Sequence, residues 1–257
     1  MKKVKLNYSH KNSIATLTLD DGKGNILDNV MMNEILECFA EFREKKNLKM
    51  IIIEGAGKHF SFGASVEEHT KALASSMLKT FHSIFRTISE IKIPTLAKVS
   101  GQCLGGGMEL ALMCNLIFAD KTAKFAQPEI TLGVFPQPAS LLLELKIGYA
   151  KAEEILLTGR TYNAEEALGL GFINKVFDDK EELNKGTLKW LTEYILPKSA
   201  SSLRIAVSAM RFKFNHILSN FLPYLEEIYL EKLMETKDAN EWINAFIEKR
   251  KPVWKNM

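Results

Sequence analysis

The chain has 257 residues, 46% of them hydrophobic, and a formal net charge of +3. That composition excludes a disordered segment, and the small positive balance gives no reason to expect a nucleic-acid or membrane partner. No apolar run reaches membrane-spanning length, and Cys38, Cys103 and Cys114 form no C-x-x-C pair or metal-ligand spacing.

Val4–Tyr8 and Ile14–Leu19 alternate with period two and predict paired strands, with turn chemistry at Asp20–Asn25. The strand at the start leaves no room for the apolar core of a signal peptide, so a cytoplasmic protein with reduced thiols is expected. Asp28 or Asn29 caps a helix running to about Lys46, with Met32, Ile35, Leu36, Phe39 and Phe42 on one face. Met50–Glu54 is a fully apolar strand of the buried parallel type. A long helix is predicted over Val66–Glu90, then a strand at Thr95–Val99, a glycine turn, a helix from about Gly107, and short strands at Leu116–Ala119 and Lys124–Ala126. Alternation of strand and helix predicts an α/β core with mainly parallel strands. Beyond Ala139 the pattern is mostly helical. Asn163 caps Ala164–Leu168, Gly169 and Gly171 end it, and Phe172–Val176 is a last strand. Helices are predicted over Glu181–Tyr194, Ser201–Phe212, Phe221–Thr236 and Asn240–Arg250.

The chemistry concentrates around Gly105-Gly106-Gly107-Met108-Glu109. Three glycines leave backbone amides open to a ligand at a helix N-terminus, where negative charge is favoured. Glu109 is the only charged side chain between Gly101 and Ala119. Glu129, held behind Pro128 and between Phe125 and Ile130, is its candidate partner. Two carboxyls in a dry cleft cannot ionise equally, so one serves as base while the other keeps its proton. Spacing alone leaves open that they are unrelated surface acids. Gly63-Ala64 and Gly105-Gly107 each follow a predicted strand; if those strands are neighbours, two amides converge on one oxygen as an oxyanion hole. Gly55-Ala56-Gly57-Lys58 lacks P-loop spacing and is rejected as a nucleotide site. His69 and His82 have no ligand partners in the pattern and read as structural, and the Lys249-Arg250-Lys251 patch reads as helix-end solvation.

Taken together, His59-Phe60-Ser61-Phe62-Gly63-Ala64, Gly105–Leu110, Gln127–Gly133 and Phe246–Lys251 resemble the crotonase (enoyl-CoA hydratase/isomerase) superfamily over essentially the whole chain. The resemblance implies an α/β spiral of β-β-α units in residues 1–195 with an acyl-CoA site. It implies a C-terminal helical trimerisation region in residues 196–257, in a homotrimer or dimer of trimers. It places Ala64 and Gly106 as oxyanion-hole amides and Glu109 and Glu129 as the catalytic pair of a hydro-lyase. By the same resemblance Lys23, Asn25, Phe62, Ser65, Val66, Phe246 and Lys249 bind CoA. No metal or redox cofactor is implied, because the thioester is itself the electron sink.

Two departures bear on the substrate. Ser65 stands where the family often has an acid, and Val134-Phe135-Pro136-Gln137-Pro138 replaces a glycine-rich loop. Phe135, Pro136 and Pro138 are therefore expected to shape the acyl pocket. Residues 60–69, 101–107, 133–135 and 199–204 look most like the branch that hydrates cyclohexa-1,5-diene-1-carbonyl-CoA in anaerobic benzoyl-CoA degradation. The alternatives are a linear enoyl-CoA or cyclohex-1-ene-1-carbonyl-CoA as substrate, or, in another class, an RNA-binding relative.

Overall fold

The computed structural model describes residues 1–257, the side chain of Ile247 apart. Its strands are β1 (Val4–Ser9), β2 (Ile14–Leu19), β3 (Met50–Gly55), β4 (Thr95–Val99), β5 (Gln102–Leu104), β6 (Leu116–Asp120), β7 (Lys124–Ala126), β8 (Tyr162–Asn163) and β9 (Lys175–Phe177). Six form one sheet in the order β1-β2-β3-β4-β6-β9, antiparallel only between β1 and β2, and β5-β7-β8 form a small second sheet. Ile51 lies opposite Thr95 and Glu54 opposite Lys98. Strands β3 and β4 are thus parallel neighbours, and the loops that leave their C-terminal ends emerge on one edge, where open α/β sheets place ligands.

The helices are α1 (Asn29–Arg43), α2 (Ala74–Ile91), α3 (Gly106–Met113), α4 (Gln137–Ile147), α5 (Tyr149–Thr158), α6 (Ala164–Leu170), α7 (Lys180–Tyr194), α8 (Ala200–Glu227) and α9 (Lys237–Ile247). Asp28 caps α1 by accepting from the Met31 amide, and Met32, Ile35, Phe39 and Phe42 turn inward at helical spacing. Helix α3 is buried all round, as its unbroken apolar sequence requires.

Several boundaries differ from the sequence reading. The helix expected over residues 66–90 is a single 3-10 turn, Val66–His69, followed by α2 from Ala74. The run Glu67–Lys71 offers no apolar stripe to bury, and Thr70 is extended. The helices expected at 201–212 and 221–236 are one helix, α8, which runs through Pro223 into a π turn (Ile228–Lys232) and a 3-10 turn (Leu233–Glu235). Across the join Leu218 is buried and Asn215 donates to the Ser89 carbonyl, which holds the helix against α2. Finally, α6 passes through Gly169 and is closed by Gly171 in the left-handed region, and the last strand begins at Lys175 rather than Phe172.

Leu218, Leu222, Tyr229, Met234, Ala239, Trp242 and Ile243 belong to the same hydrophobic core as β2, β3 and α3. The segment after residue 195 therefore closes over the α/β core of its own chain. Among the described residues no helix is long and apolar enough to cross a membrane.

Candidate active site

Ser61 sews the two glycine turns together. Its amide donates to the Gln102 carbonyl, its carbonyl accepts from the Leu104 amide, and its hydroxyl donates to the Asn25 carbonyl while accepting from the Gly63 amide. Gly105 sits in the left-handed region at φ 49°, ahead of α3. The result brings Gly106 beside Ala64: a Cβ built on Gly106 lies 3.2 Å from the Ala64 nitrogen. Neither the Ala64 nor the Gly106 amide has an acceptor among the described residues. Two free N–H groups side by side, one at a helix N-terminus, form a site for an oxygen that gains negative charge.

Both glutamates face this place. Glu109, in the first turn of α3, is 3% exposed and accepts from the Ala139 amide at 2.8 Å. Glu129 stands on the 3-10 turn Pro128–Leu132, so close to the glycine turn that a Cβ on Gly105 lies 2.6 Å from its Oε1. Gln127, fully buried, answers it: with its amide nitrogen toward the carboxyl, it donates to both oxygens at 3.0 and 3.2 Å. Burial pushes the Glu109 carboxyl well above the carboxylate range, the charge of Glu129 adds to this, and the Ala139 amide opposes it. Burial likewise pushes Glu129 up, to about 8. The pair shares one buried site, so its proton losses belong to the two carboxyls together. The chemistry available is proton removal and proton delivery at one place, next to two oxyanion donors.

A cavity of about 100 Å³ joins these groups. Phe62, Gly63, Ala64 and Val66 line one side, Gly105, Gly106, Glu109 and Glu129 the floor, and Leu132, Val134–Gln137, Tyr229 and Trp242 the far wall. Phe135 and Pro136 line the cavity; Pro138 does not. Pro138 is buried in the first turn of α4, where its missing N–H leaves that turn to present the Ala139 amide to Glu109. The Asn25 side chain donates to the Ala56, His59 and Phe60 carbonyls and so braces the loop. Phe62 lies half-exposed at the rim, Ser65 precedes the 3-10 turn and Lys23 is exposed on the adjoining turn. Phe246 is half-exposed on α9 beside Trp242, and Lys249 is exposed just past the helix end.

The sequence matches the family model for enoyl-CoA hydratase/isomerase over residues 9–257. It is 41% identical over 244 residues to cyclohexa-1,5-dienecarbonyl-CoA hydratase of Thauera aromatica, covering 95% of this chain and 93% of that one. The chain belongs to the enoyl-CoA hydratase/isomerase family. A probable enoyl-CoA hydratase of Mycobacterium bovis is 37% identical over 230 residues, covering 89% of this chain and 88% of the relative. The crystal structure of enoyl-CoA hydratase from Bacillus halodurans superposes with a TM-score of 0.87 at 23% identity over 95% of this chain and 99% of that one, a likeness of fold.

Within this enoyl-CoA hydratase/isomerase fold, four site residues escape the sequence reading. His69, read as structural, lines the cavity; its Nδ1 lies 2.7 Å from the Ser65 carbonyl, and burial holds its pKa below the ordinary imidazole value. Gln127 precedes a proline in an unremarkable run. Gln137 was hidden between two prolines, and Tyr229 sits in a helix whose pattern signals only packing. His82, by contrast, is buried and paired with Glu226 at 2.8 Å, away from the cavity lining, as its structural reading expects.

Proposed function

We propose that this chain is an acyl-CoA hydratase that adds water to cyclohexa-1,5-diene-1-carbonyl-CoA, giving 6-hydroxycyclohex-1-ene-1-carbonyl-CoA, in anaerobic benzoyl-CoA degradation. The observation that carries the reading is one cavity with two carboxyls, Glu109 and Glu129, on its floor beside the free amides of Ala64 and Gly106. The 41% identity to the Thauera aromatica enzyme supports the cyclic substrate. The stiff Val134–Gln137 wall suits a flat ring better than an extended chain.

In the reaction, the thioester oxygen sits on the two amides. Water held between the glutamates gives one proton to the charged carboxylate as its oxygen bonds to the ring carbon β to the carbonyl. Electrons move through the ring onto the thioester oxygen, where the amides, free of other acceptors, stabilise them more strongly than the ground-state carbonyl. The protonated carboxyl then delivers its proton to the far end of the second double bond. The sum is one water added 1,4 across the diene, with no electron gained or lost.

CoA lies outward past Phe62, Ser65 and Val66, with Lys23 and Lys249 as its phosphate contacts and Phe246 against its apolar parts. Ile205, Met210, Phe212, Phe221 and Tyr224 are exposed along α8, apolar surface that a homotrimer, or a dimer of trimers, covers. Light scattering at a trimer or hexamer mass supports that assembly, and a monomer rules it out. Turnover of the cyclic dienoyl-CoA exceeding that of crotonyl-CoA and of cyclohex-1-ene-1-carbonyl-CoA, read as loss of absorbance and gain of one water in product mass, tests the substrate. A faster linear substrate overturns it. RNA retention in a salt-dependent shift assay, with no hydration, is the outcome for a binding protein.

A further inference from the structure

We infer that Tyr229 is a positioning residue for the acid–base pair: its hydroxyl, walled into the cavity with Glu109 and Glu129, donates to the Glu129 carboxylate when that group ionises. The inference rests on the hydration reading above and adds a residue to it.

Tyr229 is 1% exposed, lines the cavity, and its hydroxyl has no hydrogen-bond partner among the described residues. A buried phenol normally finds an acceptor, because leaving its O–H unpaired costs the full desolvation of the group. The backbone that carries it is unusual as well. Pro223 withholds a helical donor from α8, and the chain then widens into the π turn Ile228–Lys232, the kind of local irregularity that gathers at functional sites. That turn is pinned. Glu226, one turn before Tyr229, pairs with His82 at 2.8 Å and lies 3.8 Å from Arg86, both on α2. The ring packs against Phe135 at 5.7 Å between centroids. Ring and backbone are therefore fixed by packing, and the hydroxyl is the one part of the side chain left without a use.

The cavity offers that hydroxyl two carboxyl acceptors. Glu109 accepts from the Ala139 amide and Glu129 from the Gln127 amide, and the carboxylate oxygens keep lone pairs for a further donor. Burial raises the phenol pKa, and among charges Glu129 adds more to that rise than Glu109. His69 is the other titratable group on the cavity wall, held neutral by burial; Glu226, His82 and Arg86 stand behind the π turn. A phenol O–H donated to the ionised carboxyl favours its charged form, so the hydroxyl tunes which glutamate gives up its proton.

Tyr229→Phe removes the hydroxyl and keeps the ring against Phe135, so a role in packing alone leaves every readout unchanged. The expected result is kcat lower by about tenfold with KM within about twofold, and the acid limb of the pH–rate profile moved up by about one unit. The same shift is read without turnover by carboxyl 13C titration of glutamate-labelled protein, the Glu129 resonance being the one lost in Glu129→Gln. A midpoint raised by about one unit in Tyr229→Phe supports the inference. An unmoved midpoint overturns it, whatever the rate does. Absence of acyl-CoA hydration in the wild type, with the midpoint still raised, refutes the hydration reading and leaves the Tyr229–Glu129 link standing.

Discussion

The two ends of α3 both gather charge in a poorly hydrated place, and they do so to opposite ends. At the C-terminus Arg211 donates to the Met113 carbonyl at 2.8 Å and Lys146 to the Cys114 carbonyl at 3.3 Å. These cations lie at the negative end of the helix dipole and answer carbonyls the helix leaves open. Burial still pushes them down, Lys146 to about 8 and Arg211 to about 10. At the N-terminus the protein supplies two acids instead, gives them few donors, and leaves the neighbouring amides of Ala64 and Gly106 empty. Charge that the fold answers from within holds a helix in place. Charge that it leaves unanswered, beside a cavity, is kept for a ligand.

The contrast breaks most visibly at the acids. Glu109→Gln and Glu129→Gln keep size and shape but remove the proton traffic, and each is expected to lower kcat by about 10²–10⁴-fold with the fold intact by circular dichroism. A step smaller is Gly105→Ala. The new methyl lies 2.6 Å from Glu129 Oε1 on a left-handed backbone, so the carboxyl must move, at a cost of roughly 10²-fold in kcat.

At the other end of α3 the expected effect changes in kind. Arg211→Met strands the Met113 carbonyl and lowers stability by about 1–3 kcal/mol in urea unfolding, with kcat little changed. Activity lost without stability lost shows that the two ends are not separate in role. The smallest effects lie in pH. The Glu129 carboxyl is raised in the folded chain, so the folded form binds more protons than the unfolded one between the ordinary glutamate range and about 8. Stability should fall as pH rises through that window, and Glu129→Gln should flatten the fall. Lys146 has the reverse sign: lowered to about 8, it makes the unfolded chain the better proton binder above that, so stability recovers from pH 8 toward 10.5, and Lys146→Met removes the recovery.

The N-terminal end of α3 was legible because its chemistry is local. Three adjacent glycines before an apolar helix, with one acid in the first turn, state a ligand-facing N-terminus in six residues. Glu129 was legible only through Pro128 and the resemblance, since its meeting with Glu109 depends on the pairing of β5 with β7. Tyr229 was not legible: a tyrosine in an amphipathic helix signals packing, and only the π turn and the closure of the C-terminal segment over the core bring it to the acids. Pro138 and Asn25 show the same dependence on distant contacts. Sequence places a residue near a site, but whether its polar atoms face the cavity or the surrounding backbone is decided by contacts far along the chain.

Turnover of cyclohexa-1,5-diene-1-carbonyl-CoA in 18O-labelled water, by the wild type and by the two glutamine variants, bears on the acid pair most directly. The account predicts a product carrying one labelled hydroxyl from the wild type and almost none from Glu109→Gln or Glu129→Gln. Labelled product formed by both variants at within about tenfold of the wild-type rate contradicts it.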